Sequence, residues 1–113
     1  MAENRYEHEA GNTPSYATGS GTAASYMLTV AASEFIRWGV LAFSGYSRAQ
    51  NFTVEILIDN EVVWGQFGSA GTTTGMVFDS HKIIYGDNNE SLKVRVTPAA
   101  SDACGVNVAY MQV

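Results

Sequence analysis

Cys104 is the only cysteine in the chain and His81 is one of two histidines, and a thiol beside an imidazole is the simplest nucleophile and base this sequence offers. Asp79 or Asp102 would have to orient the ring, as a third group does in acyl-transfer sites. Nothing in the spacing requires these residues to meet. A small packed cysteine and a surface histidine are therefore expected. No Gly-x-Ser-x-Gly elbow occurs around Ser20, Ser44 or Ser69, because the flanking glycines stand at the wrong offsets. Asp87 to Glu90, "DNNE", places oxygen ligands in a turn. It lacks the alternating spacing and the closing bidentate carboxylate of a calcium loop, so a solvated turn is expected. His8 and His81 are too few for a zinc site. "GQFGSAGTTTG" looks like a phosphate cradle only in its glycines, since no lysine and no helix follow. The chain is thus read as no enzyme, with no catalytic residue, no metal ligand and no cofactor.

Aromatic residues give the remaining chemistry. Trp38 and Trp64, with Tyr46 and Tyr85, would make a sugar-stacking platform if they shared an exposed face. Aromatics that keep strand register more often fill a core or an interface. Glycan binding is accordingly kept as the alternative function.

Composition narrows the partners. The chain has 113 residues, 46% apolar and only 15% charged, with a net charge of −5. Its six basic residues are scattered, so no cationic groove for a phosphate backbone is expected and nucleic acid is excluded as a partner. No apolar run approaches the roughly 18 residues of a membrane span, and the start "MAENRYEHEAGNTPSYATGSG" lacks a basic-flanked apolar core, so neither membrane nor secretory signal is expected. One cysteine allows no intrachain disulfide and suits a reducing cytosol. The sequons at Asn51 and Asn89 are then chance matches.

The elements that must position these residues are strands. From Ala23 onward apolar residues recur at period two. "SYMLTVAAS" puts Tyr26, Leu28 and Val30 on one face. "EFIRWGVLAFSG" puts Ile36, Trp38, Val40 and Ala42 on one side and Phe35, Leu41 and Phe43 on the other, a strand apolar on both faces. "NFTVEILIDNEVVWGQFG" is a hairpin turning at Asp59-Asn60-Glu61, with Trp64 and Val62 inward. "GSAGTTTG" reads as a loop, "MVFD" and "HKIIYG" as short strands. "SLKVRVTP" points Leu92, Val94 and Val96 inward and stops at Pro98, and "VNVAYMQV" points Val106, Val108 and Tyr110 inward. No stretch of ten residues has a helical period. The expected fold is an all-β antiparallel two-sheet sandwich of seven or eight strands, jelly-roll-like, over residues 23–113, with an immunoglobulin-like order as the rival. Residues 1–22, rich in glycine and polar residues, are expected to form an extended N-terminal arm without a core of its own.

Two groups of residues are expected to touch other protein. Tyr6, Pro14 and Tyr16 would anchor the arm in a neighbour's grooves. Phe35, Leu41 and Phe43 would form the apolar face that a two-layer sandwich leaves uncovered.

The order of these elements carries a resemblance. A hairpin "ILIDNEVVWGQFG", a loop "SAGTTTG", then "ESLKVRVTPAAS" and a closing strand "VNVAYMQV" resemble the small β-sandwich capsid decoration or cement proteins of tailed bacteriophages, from about Asn51 to Val113. The polar arm has no counterpart there. The resemblance implies a structural virion protein, made in the host cytoplasm, that binds the outside of the capsid as a homotrimer. Its partner would be the major capsid protein, and it would clamp neighbouring capsid subunits. A receptor- or glycan-binding module of a phage tail or fibre is the alternative.

Overall fold

The computed structural model describes residues 15–30, 37–78, 84–87 and 90–112. Nine strands run through them: β1 Ser15–Ala23, β2 Tyr26–Val30, β3 Arg37–Ser47, β4 Phe52–Ile58, β5 Glu61–Gly68, β6 Thr73–Val77, β7 Ile84–Asp87, β8 Leu92–Pro98 and β9 Asp102–Gln112. One sheet has the order β1-β9-β3-β6, with β7 continuing the β6 edge along the first half of β3, and the other has the order β2-β8-β4-β5. Every pairing is antiparallel. The chain therefore crosses repeatedly between two sheets and returns its last strand between its first and third. That is the jelly-roll order, and the immunoglobulin-like rival is excluded.

The alternation read from sequence fills the core between the sheets. Val40, Val54, Ile56, Val94 and Val96 are fully buried, joined by Trp38, Leu92, Val106 and Val108. Tyr110 packs against this core from its margin. The β4–β5 hairpin closes on a two-residue turn, Asp59-Asn60, while Glu61 already pairs with Ile58. Asp59 takes a φ of 54°, the left-handed backbone that two-residue hairpin turns demand and that aspartate tolerates better than most side chains.

Two β-bulges redirect side chains that strict alternation would misplace. In β3 the register to β9 shifts between Val40 and Ala42, so Leu41 is the extra residue and Phe43 falls on the same face as Trp38 and Val40. The expected doubly apolar strand is not formed over its described part. Phe43 is 4% exposed and stacks on Phe78 with ring centroids 5.8 Å apart. In β5 the shift between Ile56 and Leu57 makes Val63 the extra residue. Trp64 then lies opposite Ile56 on the core side, while Val62 lies opposite Leu57 on the other face. Because β5 is an edge strand, Trp64 closes only the margin of the core. It stays 36% exposed and meets Phe78 edge-on at 5.5 Å.

Residues 15–22, assigned to the arm by composition, belong to β1, which pairs with β9 over its whole length. Small residues are what this edge requires. Ala17, Gly19, Gly21 and Ala23 alternate inward, and Tyr26 reaches across from β2 to lie over the two glycines. A Cβ at Gly19 would collide with the Tyr26 hydroxyl and ring. A run that looks too poor in apolar area to fold is the socket for one large ring. Residues 1–14 lie outside the described residues, and with them Tyr6 and Pro14.

Candidate protein-contact face

The polar groups considered for chemistry have structural partners. Asp102, 7% exposed, accepts hydrogen bonds from Ser47 Oγ at 2.7 Å and from the Ala49 amide at 2.6 Å. Those two bonds, with the Arg48 guanidinium 4.0 Å away, hold its carboxyl below the usual carboxylate range. Asp102 thereby ties the bend after β3 to the start of β9. Cys104 is 1% exposed, its thiol 3.6 Å from the Gly21 carbonyl oxygen, and burial with the nearby Asp102 charge pushes its pKa up. A buried thiol held protonated is a poor nucleophile. His8, Asp79 and His81 lie outside the described residues. Among the described residues no three His, Cys, Asp or Glu side chains gather as a metal site would need.

The aromatic platform is dispersed. Trp38 is 1% exposed and donates its indole N–H to the Glu90 carbonyl oxygen at 2.9 Å. Trp64 sits at the edge of the other sheet. Tyr46 is 38% exposed and lies on the outer face of the first sheet, over Gly105, where a Cβ would meet the ring. The side chain of Tyr85 lies outside the described residues.

The outer face of the β1-β9-β3-β6 sheet carries a built feature. Pairing aligns Tyr16, Ala109, Ala42 and Val77 in one row across four strands. The row begins and ends on large side chains, Tyr16 and Val77, each 79% exposed, and its two central residues are alanines. Strand spacing puts those ends about 14 Å apart. Beside it runs a second row, Thr18, Asn107, Ser44 and Gly75. Here the Thr18 hydroxyl donates to Asn107 Oδ1 at 2.5 Å and Asn107 Nδ2 donates to Ser44 Oγ at 3.4 Å. Small floor residues between tall walls leave an open trough of about 670 Å³. Among the described residues no charged side chain lines it. Such a surface can hold apolar groups and offer hydroxyl and amide contacts. Its polar side-chain groups, among the described residues, are the Tyr16, Thr18 and Ser44 hydroxyls and the Asn107 amide.

Of the residues expected to touch other protein, Tyr16 stands in this trough wall. Leu41, the bulge residue, is half-buried. Phe43 is withdrawn into the core, a correction that follows from the bulge, and Phe35 lies outside the described residues. Strict alternation puts Ala42 on the face of Trp38 and Val40, and the bulge at Leu41 turns it outward instead; Val77 and Ala109 carry no signal of their own, because single apolar residues on an outer strand face look like ordinary solvent positions. Their alignment exists only once three strands far apart in sequence are paired.

No family model matches this chain, and no curated protein matches it. Its fold is similar to that of several solved structures. One is a protein from Bacillus endospore appendages, described as a family of disulfide-linked pili, at 9% identity over 90% of this chain and 88% of that one, TM-score 0.53. Another is the major capsid protein P2 of bacteriophage PM2, at 13% identity over 90% of this chain and TM-score 0.57, where the match spans 44% of the capsid chain. A third is the Yersinia pseudotuberculosis-derived mitogen, at 10% identity over 90% and 86% of the two chains, TM-score 0.50. At these identities the likeness is one of fold.

Proposed function

We propose that this jelly roll is a structural accessory protein of a phage virion, made in the host cytoplasm, which binds the outside of the capsid and clamps neighbouring capsid subunits. The observation that carries this reading is the uncharged trough on the outer face of β1-β9-β3-β6. In a chain of net charge −5, a four-stranded face with exposed Tyr16 and Val77 around an alanine floor is suited to burial against protein. A clamp needs shape, apolar contact and several attachment points, and no catalytic group. The resemblance of its layout to that of decoration proteins supports the virion setting, and use of a similar fold by the PM2 capsid protein is compatible with it. Burial of Trp38 removes the centre of the sugar platform and weighs against the glycan-binding alternative.

Co-sedimentation with capsids lacking the protein tests the proposal. Wild-type protein should saturate the shells at a fixed ratio to capsid subunits. Val77→Asp, which places a charge on the trough wall at an exposed position, should weaken loading by roughly tenfold or more, about 1.4 kcal/mol. Equal loading of the variant would remove the trough from the attachment surface.

A further inference from the structure

The outer face of the opposite sheet carries a knob. Phe67 is 86% exposed, more than any other large apolar side chain described, and it stands opposite Thr53 on β4. Asn51, Ser69, Thr97 and Ala99 surround it, none of them charged. In the adjacent outer row Glu55 and Arg95 neutralise each other, Arg95 Nε and Nη2 both donating to Glu55 Oε1 at 3.0 and 2.7 Å. Knob and trough are thus both free of unpaired charge. Between two copies of a chain of net charge −5, a contact is least opposed where both patches are uncharged.

The two features lie on opposite faces of the sandwich, so no copy can fill its own trough. The trough, at about 670 Å³, has room for a phenyl ring together with the edges of the residues around it. We propose that Phe67 of one copy inserts between Tyr16 and Val77 of the next, over Ala42 and Ala109, so that copies associate head to tail. The inference rests on the reading of the trough as a protein-contact surface and names its occupant as a second copy of this chain. A contact between two different patches is heterologous: it closes into a ring when the rotation per copy allows and otherwise extends. One ring is less than a specific interface needs. A stable one takes roughly 800 Å² per partner, so the uncharged residues around both patches must join the contact.

Sedimentation velocity of the purified full chain at micromolar concentration, without shells, tests this. The wild type should show a concentration-dependent mass of three or more copies. Phe67→Asp and Val77→Asp should each be monomeric, with Ala109→Glu as a second trough variant and melting curves to confirm folding. An equimolar mixture of Phe67→Asp and Val77→Asp should form heterodimers, because each supplies the patch the other has lost. A monomeric wild type, a mixture that stays monomeric, or Phe67→Asp that associates like wild type would overturn the proposal. Shell loading separates the two readings. If Phe67→Asp associates like wild type while Val77→Asp loses shells, only the second-copy occupant falls; if Val77→Asp loads shells normally, the trough reading falls with it.

Discussion

Asp102 is the only buried acid among the described residues, and its two hydrogen bonds to Ser47 and Ala49 favour its charged form over the unfolded state's. Its folded pKa is lowered, so its contribution to stability is present above the ordinary carboxylate pKa and is lost as pH falls through the lowered folded value. Asp59, lowered by the Ser91 amide, the Ser91 hydroxyl and Lys93, acts with the same sign. Asp102→Asn should therefore lower the melting temperature at neutral pH and flatten its fall below about pH 4. Thermal melts across an acid series check this; a slope identical to wild type would mean that the carboxylate is as well solvated when folded as when unfolded. The two tryptophans should separate clearly. Trp38→Ala, which opens the core and removes the indole bond to the Glu90 carbonyl, should cost about 3–5 kcal/mol. Trp64→Ala should cost about 1–2 kcal/mol, since roughly a third of that ring is already in water. Denaturant unfolding reads both, and a Trp64 cost equal to that of Trp38 would place the edge ring deeper than described.

At the scale of elements, the β4–β5 hairpin, β8 and β9 from Val106 onward are legible in the sequence, because apolar residues alternate in β4, β8 and the end of β9 and turn residues bound the hairpin; the Asp102–Gly105 start of β9 reads as a loop. What escaped was set by partners distant in the chain. The bulge at Leu41 breaks alternation without any marker residue, so Phe43 was assigned to the wrong face. The Thr73–Gly75 half of β6 was read as loop because glycine and threonine fill it. Residues 15–22 read as arm because their inward residues are small, and only Tyr26 arriving from the other sheet explains why they must be. Gly19→Val should accordingly cost about 1–3 kcal/mol by overpacking against Tyr26, while Gly19→Val combined with Tyr26→Ala should recover part of that loss. Additive losses in this double-mutant cycle would deny the contact. Deleting residues 1–23 should expose the whole edge of β9 and drive the chain to aggregate, which light scattering of the purified variant reads.

For the whole molecule, two sheets enclose one core, and the chemistry-bearing side chains that were described are committed to holding it together. The surface left over divides into an outer face with a charged pair, Glu55 and Arg95, and an outer face with an uncharged trough. Sequence shows that charge is scarce; it cannot show that the described lining of the trough lacks it, since the trough is assembled from β1, β3, β6 and β9. The central claim is that this face is turned toward other protein on a shell. A cryo-electron microscopy reconstruction of decorated particles measures it directly. The account predicts density for the jelly roll outside the capsid, with Tyr16 and Val77 packed against a capsid subunit or a neighbouring copy. Decorated particles in which that face looks into solvent, or particles that bind no copies at saturating concentration, would contradict it.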